Sequence, residues 1–335
     1  MAARQARQAL ICIGRGIGDV IQTTPLIQAI YSLGYDIDVW LVPDYPETIR
    51  LLAGWPAVRG IITSSSEIGL ENYDEVIATL LFPYAHFFYR RPVRVVRYDR
   101  QDKRHRTECD MVHARALGYR GPTPPTYART SGRRFSLPPR TVALHPGSSP
   151  QPWNRRKRWP YFPALAALLL DRGFGVALVG TEHDGPPSRA WPDEVMDFRG
   201  GLDLLDTGAL LGHCDAAVSN DSGIAHYAAA VGVPTLVIFG PTSERLYAPP
   251  VPNAWPISAD LHCRPCGNLP SCHDRRCLTE LRPEAVMREL DARLMGDGPS
   301  GLASLRVCAK ASGSGEGSGT GLAASTVQAI ARGRR

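Results

Sequence analysis

Residues 216–248, AAVSNDSGIAHYAAAVGVPTLVIFGPTSERLYA, constrain the fold more than any other stretch. Ala216, Ala217 and Val218 read as a short apolar strand, and Ser219, Asn220, Asp221, Ser222 and Gly223 as a polar turn that opens a helix. After Gly232 a second strand runs from Thr235 to Phe239 and closes at Gly240 and Pro241. Strand, helix, strand is a βαβ unit, which requires a parallel sheet. The polar turn then lies at the C-terminal end of a strand, where open α/β sheets bind ligands. Free backbone N–H groups and the positive end of a helix dipole make such a turn an anion site. Asp221 and Ser222 also suit helix capping. His226, about one turn further on, shares the face of Ser222, so several polar groups converge on one helix start.

Similar units fill the chain on either side. Residues 8–14 read as the first strand, followed by the loop Gly14-Arg15-Gly16-Ile17-Gly18-Asp19 and a helix from Val20 to Leu33. The glycine spacing is G-x-G-x-G, not the dinucleotide pattern G-x-G-x-x-G. These glycines suit close approach of backbone to a ligand. Asp19 stands at the loop–helix junction, placed either to favour the helix start or to do chemistry. Further strands are expected at 37–42, 60–63, 76–79 and 93–97, and a helix at 106–117. Residues 119–140, rich in Pro, Gly, Thr and Arg, read as a linker between domains.

A second series follows: strands at 141–145 and 175–179, and helices at 163–172, 204–212 and 283–295. The expected class is α/β, with two Rossmann-like parallel-sheet domains, 1–138 and 139–295, facing a central cleft. No internal repeat is visible. The segment 296–335, dominated by Gly, Ser and Ala, reads as a disordered tail outside the site.

Composition matters at three points. No apolar run reaches ~18 residues, so no transmembrane helix is expected, and the short apolar run after the basic N-terminus reads as a buried strand. A cytoplasmic protein is the expectation. The net charge of +6 is too mild to imply nucleic acid. Eight Lys or Arg gather between Arg90 and Arg106, which is either a solvated face or a docking patch for phosphate, carboxylate or an anionic membrane surface. Of the eight cysteines, Cys263, Cys266, Cys272 and Cys277 form a C-x2-C-x5-C-x4-C group. A structural zinc, free thiols and a redox-labile pair all remain open for them.

Four loops share a place just after strands: Gly147-Ser148-Ser149, Lys157-Arg158-Trp159-Pro160, Gly180-Thr181-Glu182 and Asp221-Ser222-Gly223. Together they supply the hydroxyls, cations, N–H groups and carboxylate that a nucleotide diphosphate needs.

The blocks GDVIQTTPLIQAI (18–30), HPGSSPQPWNRRKRWP (145–160), LVGTEHD (178–184) and SNDSGIAHYAAAVGVPTLVIFGPT (219–242) resemble glycosyltransferase family 9, the ADP-heptose:lipopolysaccharide heptosyltransferase family. The resemblance runs over residues 8–295 and includes the Cys-rich segment 263–278. It implies a GT-B fold, with the acceptor on the N-terminal domain and a nucleotide-sugar, ADP-heptose in first place, on the C-terminal domain. It implies inverting transfer without a cofactor or a required metal. Carried over residue by residue, Asp19 would be the general base and Lys157 would stabilise the departing diphosphate. Ser148 and Ser149 would lie near the phosphates and Glu182 near the nucleoside. Asp221, Ser222, Gly223 and His226 would line the donor site. The acceptor would be a glycan or lipid-linked sugar, with the enzyme peripheral to the inner membrane surface. A nucleotide-sugar epimerase and a non-catalytic nucleotide-sugar-binding member are the competing readings on one fold.

Overall fold

The computed structural model describes residues 7–41, 46–80, 82, 94–95, 103–149, 151–267 and 272–295. Most of the basic stretch from Arg90, expected as a solvated face or docking patch, and the whole segment 296–335, expected as a tail, lie outside the described residues.

The N-terminal half contains β1 (Arg7–Cys12), α1 (Ile17–Ser32), β2 (Tyr35–Trp40), a 3-10 turn at Pro46–Leu51, β3 (Gly60–Ile62), β4 (Glu75–Ala78), β5 (Arg94–Val95) and α2 (Arg106–Ala116). Its strands form one sheet in the order β3-β2-β1-β4-β5. The C-terminal half continues with β6 (Thr141–His145), a 3-10 turn at Pro152–Lys157, α3 (Phe162–Asp171), β7 (Gly175–Leu178) and β8 (Met196–Asp197). Then come α4 (Leu204–Leu211), β9 (Ala216–Asn220), α5 (Gly223–Ala230), β10 (Thr235–Ile238), α6 (Glu244–Tyr247), β11 (Ala254–Ile257), α7 (Arg276–Thr279) and α8 (Pro283–Met295). This second sheet runs β11-β10-β9-β6-β7-β8. Every pairing in both sheets is parallel.

The two halves are wired alike. In each, the first strand lies between the second and the fourth, so the winding reverses beside it. That is the doubly wound order, with its ligand crevice at the reversal. The repetition is in topology, not in sequence, because many apolar strands satisfy one buried position equally well. β6 and β9 are buried along their whole length and β1 along its last four residues, as expected for parallel strands covered on both faces.

α1 is buried over most of its surface, from Val20 to Leu26 without a break, because α2 and α5 pack on it as well as its own sheet. It carries Pro25 in its interior, which leaves the Ile21 carbonyl without its helical donor. The Thr24 hydroxyl donates to that carbonyl at 2.7 Å, and the Tyr127 N–H donates back to the same hydroxyl at 2.8 Å.

The 119–140 segment connects the two sheets without regular structure, yet it is packed rather than loose. Tyr127 stacks on Trp55 with 4.3 Å between ring centroids. Its backbone reaches both halves: Arg129 N–H donates to Leu51 O, and Ser131 N–H donates to Leu205 O. A single apolar cluster runs from the N-terminal sheet through α1 to Ile224, Tyr227 and Ala228 of α5. The two halves therefore share a core along α1 and α5.

Candidate active site between the two sheets

The starts of α1 and α5 meet at the mouth of that shared core. A Cβ on Gly223 would lie 2.8 Å from Ile17 Cβ and 3.0 Å from Gly18 N, and one on Gly18 would lie 3.1 Å from His226 Cδ2. Only glycine at both positions lets the two helix starts come this close. Glycines in the first loop were expected to admit a ligand. Gly18 instead admits α5, and Gly14 admits the Asp19 carboxylate, which a Cβ would meet at 2.8 Å.

A cleft of about 690 Å³ opens beside this contact, at the C-terminal ends of both sheets. From the N-terminal half it is lined by Arg15, Asp19 and Gln22. From the other side come Ser148, Ser149, Lys157, Asp221, Ser222, Gly223 and His226. Eight of the nine residues singled out in the sequence thus face one volume. The ninth, Glu182, is not on the cleft wall. Its side chain is 75% exposed and lies 3.5 Å from His183. Its loop contributes Thr181 and Asp184 to the lining instead.

The two helix starts are finished differently. On α1 the Asp19 carboxylate folds back and accepts from Gly16 N–H at 3.0 Å, so the acid caps its own helix. On α5 Ser222 occupies the N-cap position, but its hydroxyl makes no cap bond. It lies 3.1 Å from His145 Nδ1 instead. Asp221 does not cap either: its carboxylate accepts from Lys157 Nζ at 3.0 Å and from the Thr242 hydroxyl at 2.7 Å. Capping by Asp221 and Ser222 was the simpler sequence reading, and the structure corrects it. Both side chains have stronger partners more distant in sequence, so the first N–H groups of α5 keep no side-chain cap.

Lys157 is mostly buried, with 19% of its side chain exposed. Its 3-10 turn is anchored by Asn220, fully buried at the end of β9. The Asn220 amide donates to Pro146 O and Gly147 O at 2.9 Å each and accepts from Trp159 N–H at 2.9 Å. Ser148 is nearly buried; its hydroxyl donates to Asn154 O at 2.9 Å and accepts from Arg158 Nε at 3.0 Å.

The electrostatics separate the wall into roles. Burial pushes the His226 pKa down to about 4 against the opposing charge of Asp221, so its imidazole is neutral at pH 7, and among the described residues Nδ1 has no hydrogen-bond partner. Behind Asp19 lies Asp110 of α2, buried, its Oδ1 accepting from Leu80 N–H at 2.9 Å. Burial, with the Asp19 charge added, pushes that carboxyl up to about 7. His145, Asp184, Asn220 and Asp110 were not singled out in the sequence. Their one signal is a polar residue at a strand end or on a buried helix face, which is too common to read alone.

A family model for glycosyltransferase family 9 (heptosyltransferase) matches residues 73–274. The chain belongs to glycosyltransferase family 9. Among relatives, lipooligosaccharide heptosyltransferase 2 of Haemophilus influenzae is 39% identical over 105 residues, 28% of this chain and 30% of that one. The chain spans less than half the length of the curated relatives it matches. Among solved structures, a family 9 glycosyltransferase from Veillonella parvula superposes with a TM-score of 0.70 at 16% identity, covering 88% of this chain and 100% of that one. The Escherichia coli ADP-heptose lipopolysaccharide heptosyltransferase II superposes with a TM-score of 0.63 at 22% identity, covering 86% and 99%. The fold of this family 9 chain is of the GT-B type.

The cysteine group of this family 9 member lies outside the cleft. Cys263, Cys266, Cys272 and Cys277 line a recess of about 300 Å³ beside Pro241 and Arg156, and none of them forms a disulfide among the described residues. Among the described residues no three His, Cys, Asp or Glu side chains are grouped to hold a metal ion. Among the same residues no helix is long and apolar enough to cross a membrane.

Proposed function

We propose that the protein is an inverting glycosyltransferase that moves heptose from ADP-heptose to a hydroxyl of a lipopolysaccharide-core acceptor. The observation that carries this reading is the pairing of Asp19, from one sheet, with Lys157 and the uncapped start of α5, from the other, across one cleft. Asp19 takes the proton of the acceptor hydroxyl as that oxygen attacks the anomeric carbon. The bond from that carbon to the diphosphate oxygen breaks, and the charge passes to the leaving ADP. Lys157 and the first N–H groups of α5 receive that charge.

Asp221 has a supporting part. A carboxylate repels a diphosphate, so its place is to hold the ammonium of Lys157 and the Thr242 hydroxyl. Neutral His226 adds no charge and can hydrogen-bond through Nδ1. Ser149 lies by the phosphates, and Ser148 sets the Arg158 side chain. Glu182 takes the nucleoside at the cleft mouth, on the loop that also supplies Thr181. The acceptor lies on the Asp19 side, with the membrane surface that carries it close to the N-terminal half.

The test is calorimetric titration with ADP-heptose and with ADP-, UDP- and GDP-linked sugars, followed by transfer to a heptose-deficient lipid acceptor. Selective binding of ADP-heptose and a mass gain of one heptose are expected. Preference for another nucleotide-sugar would overturn the donor, and binding to none would overturn the activity.

A further inference from the structure

One part of the cleft wall carries an amide, an imidazole and a phenol in place of charged groups. They belong to Gln22 of α1, His226 of α5 and Tyr247, the last residue of α6. Gln22 stands four residues beyond Gly18 on α1 and so shares its face. The His226 ring lies against Gly18, where a Cβ would come 3.1 Å from its Cδ2. Gln22 and His226 therefore lie side by side, one helical turn behind Asp19 and behind the α5 start. Tyr247 is held beside them by α2. Arg106, 2% exposed, donates from Nη2 to the Tyr247 phenolic oxygen at 3.0 Å, and its Cζ lies 5.0 Å from the ring centroid. The carbonyl of the next residue, Ala248, is 2.7 Å from His105 Nε2. Two successive residues of α2 thus fix the end of α6, and the proposed mechanism gives Gln22, Arg106 and Tyr247 no task.

We infer that Tyr247, its oxygen filled by Arg106, is a specificity-determining residue that donates its phenolic proton to a hydroxyl of the transferred sugar. The inference rests on the proposed function, because it names what the cleft holds between the base and the departing diphosphate.

Donors and acceptors left over decide the ligand. A phenol accepts on its oxygen and has one proton to give. Arg106 fills the oxygen, and among the described residues nothing accepts the proton. Two acceptors close by lack a donor: Gln22 Oε1 and His226 Nδ1 are buried without a partner among the described residues. The Tyr247 carbonyl takes a hydrogen bond from the His226 ring, and with Nδ1 unpartnered that bond comes from Nε2. In the neutral ring Nδ1 is then the lone-pair nitrogen. A group that meets this set must accept one hydrogen bond and give another. A sugar hydroxyl does both. A diphosphate oxygen only accepts, and it would leave the amide oxygen and the imidazole lone pair facing its charge. Gln22 can swing its amide to meet a hydroxyl, because the last torsion of a glutamine is broad. Position agrees with this chemistry. Asp19 takes the acceptor proton on one side and the α5 start takes the diphosphate on the other. The ring whose anomeric carbon passes between them then lies over the turn that carries Gln22 and His226.

The probes are ADP-heptose and ADP, each titrated by calorimetry into wild type and Tyr247→Phe. The variant should bind ADP-heptose about fivefold more weakly than wild type does and bind ADP with unchanged affinity. A bond to the diphosphate, or a merely structural loss from stripping Arg106 of its partner, would weaken ADP equally, and that result would overturn the inference. Analogues of ADP-heptose that each lack one sugar hydroxyl then find the partner. One of them should bind wild type about fivefold more weakly than ADP-heptose does, and Tyr247→Phe should bind that analogue and ADP-heptose alike. Equal binding of every analogue to wild type would overturn the inference even if Tyr247→Phe fails to fold. These failures leave the proposed function standing. No binding of ADP-heptose by wild type would overturn the proposed function itself.

Discussion

The reversal point of the N-terminal sheet and that of the C-terminal sheet have the same wiring and differently finished helix starts. In both, a helix starts beside the strands that flank the change of winding. At α1 the start is closed by its own acid, Asp19, which accepts from Gly16 N–H. At α5 the start is left uncapped, Ser222 is turned to His145, and Lys157 is tied down beside it by Asp221. A helix start favours anions through its dipole and its spare N–H groups. Supplying the anion from the chain makes a site that can take a proton. Withholding it makes a site that can take a phosphate. On the proposed function, one architecture provides both halves of a transfer reaction, and what distinguishes them is where two or three side chains spend their hydrogen bonds.

The largest effect expected is at the closed end. Asp19→Asn keeps an oxygen for Gly16 N–H and removes the base. Turnover should fall by about a thousandfold while the dissociation constant for ADP-heptose stays within a factor of two or so. Near-normal turnover would remove Asp19 from the base role. At the open end, Lys157→Ala removes the cation and leaves the Asp221 carboxylate with Thr242 alone. It should weaken donor binding and slow turnover, together by about a hundredfold in kcat/KM. Unchanged kinetics would make Lys157 a surface charge. A drop in KM affinity with kcat unaltered would separate binding from help to the leaving group.

The comparison can also be broken mechanically. Gly223→Ala puts a methyl group 2.8 Å from Ile17 Cβ and 3.0 Å from the Gly18 backbone nitrogen. Forcing α1 and α5 apart should lower unfolding free energy by about 1–3 kcal/mol. Denaturant unfolding reads that loss, and weaker donor binding should accompany it, because Ser222 and Asp19 lose their fixed separation. A Gly223→Ala protein of full stability would show that the two starts are not in real contact.

Most of the fold could be read from the chain because buried parallel strands are short apolar runs closed by turn residues. Thr141 to His145, ending at Pro146-Gly147, is one such run. The strands that escaped were at the edges. β8 is two residues, Met196 and Asp197, too short to show a pattern. β11 contains Pro256, which argues against a strand, yet it pairs only with β10 at the sheet's edge, where a missing N–H costs little. The site was legible as a set of loops after strands, and not as partnerships. Asp221 and Ser222 have the residue types of caps, and nothing local says that Lys157, 64 positions earlier, and His145, 77 positions earlier, will claim them. His145 and Asp184 meet because neighbouring strands β6 and β7 end together, and that register is fixed by the whole sheet.

The smallest effect on activity, and the finest probe of the closed end, concerns Asp110. Its folded pKa of about 7 lies above the ordinary carboxylate value, mainly through burial and partly through Asp19. A raised carboxyl binds its proton more tightly folded than unfolded. Its contribution to stability is therefore complete below the unfolded value of about 4 and is lost as pH rises through about 7. Asp110→Asn keeps an oxygen for Leu80 N–H and cannot ionise. The variant should match wild type at about pH 4 and be more stable by about 3 kcal/mol at about pH 8, as thermal or denaturant unfolding at the two values would read. It should also remove a negative charge from beside Asp19 at high pH. The acid limb of the rate profile should then move little, because Asp110 is already neutral there. An acid limb that shifts with Asp110→Asn would mean that the two carboxyls titrate as a coupled pair, and the base would have to be assigned to both.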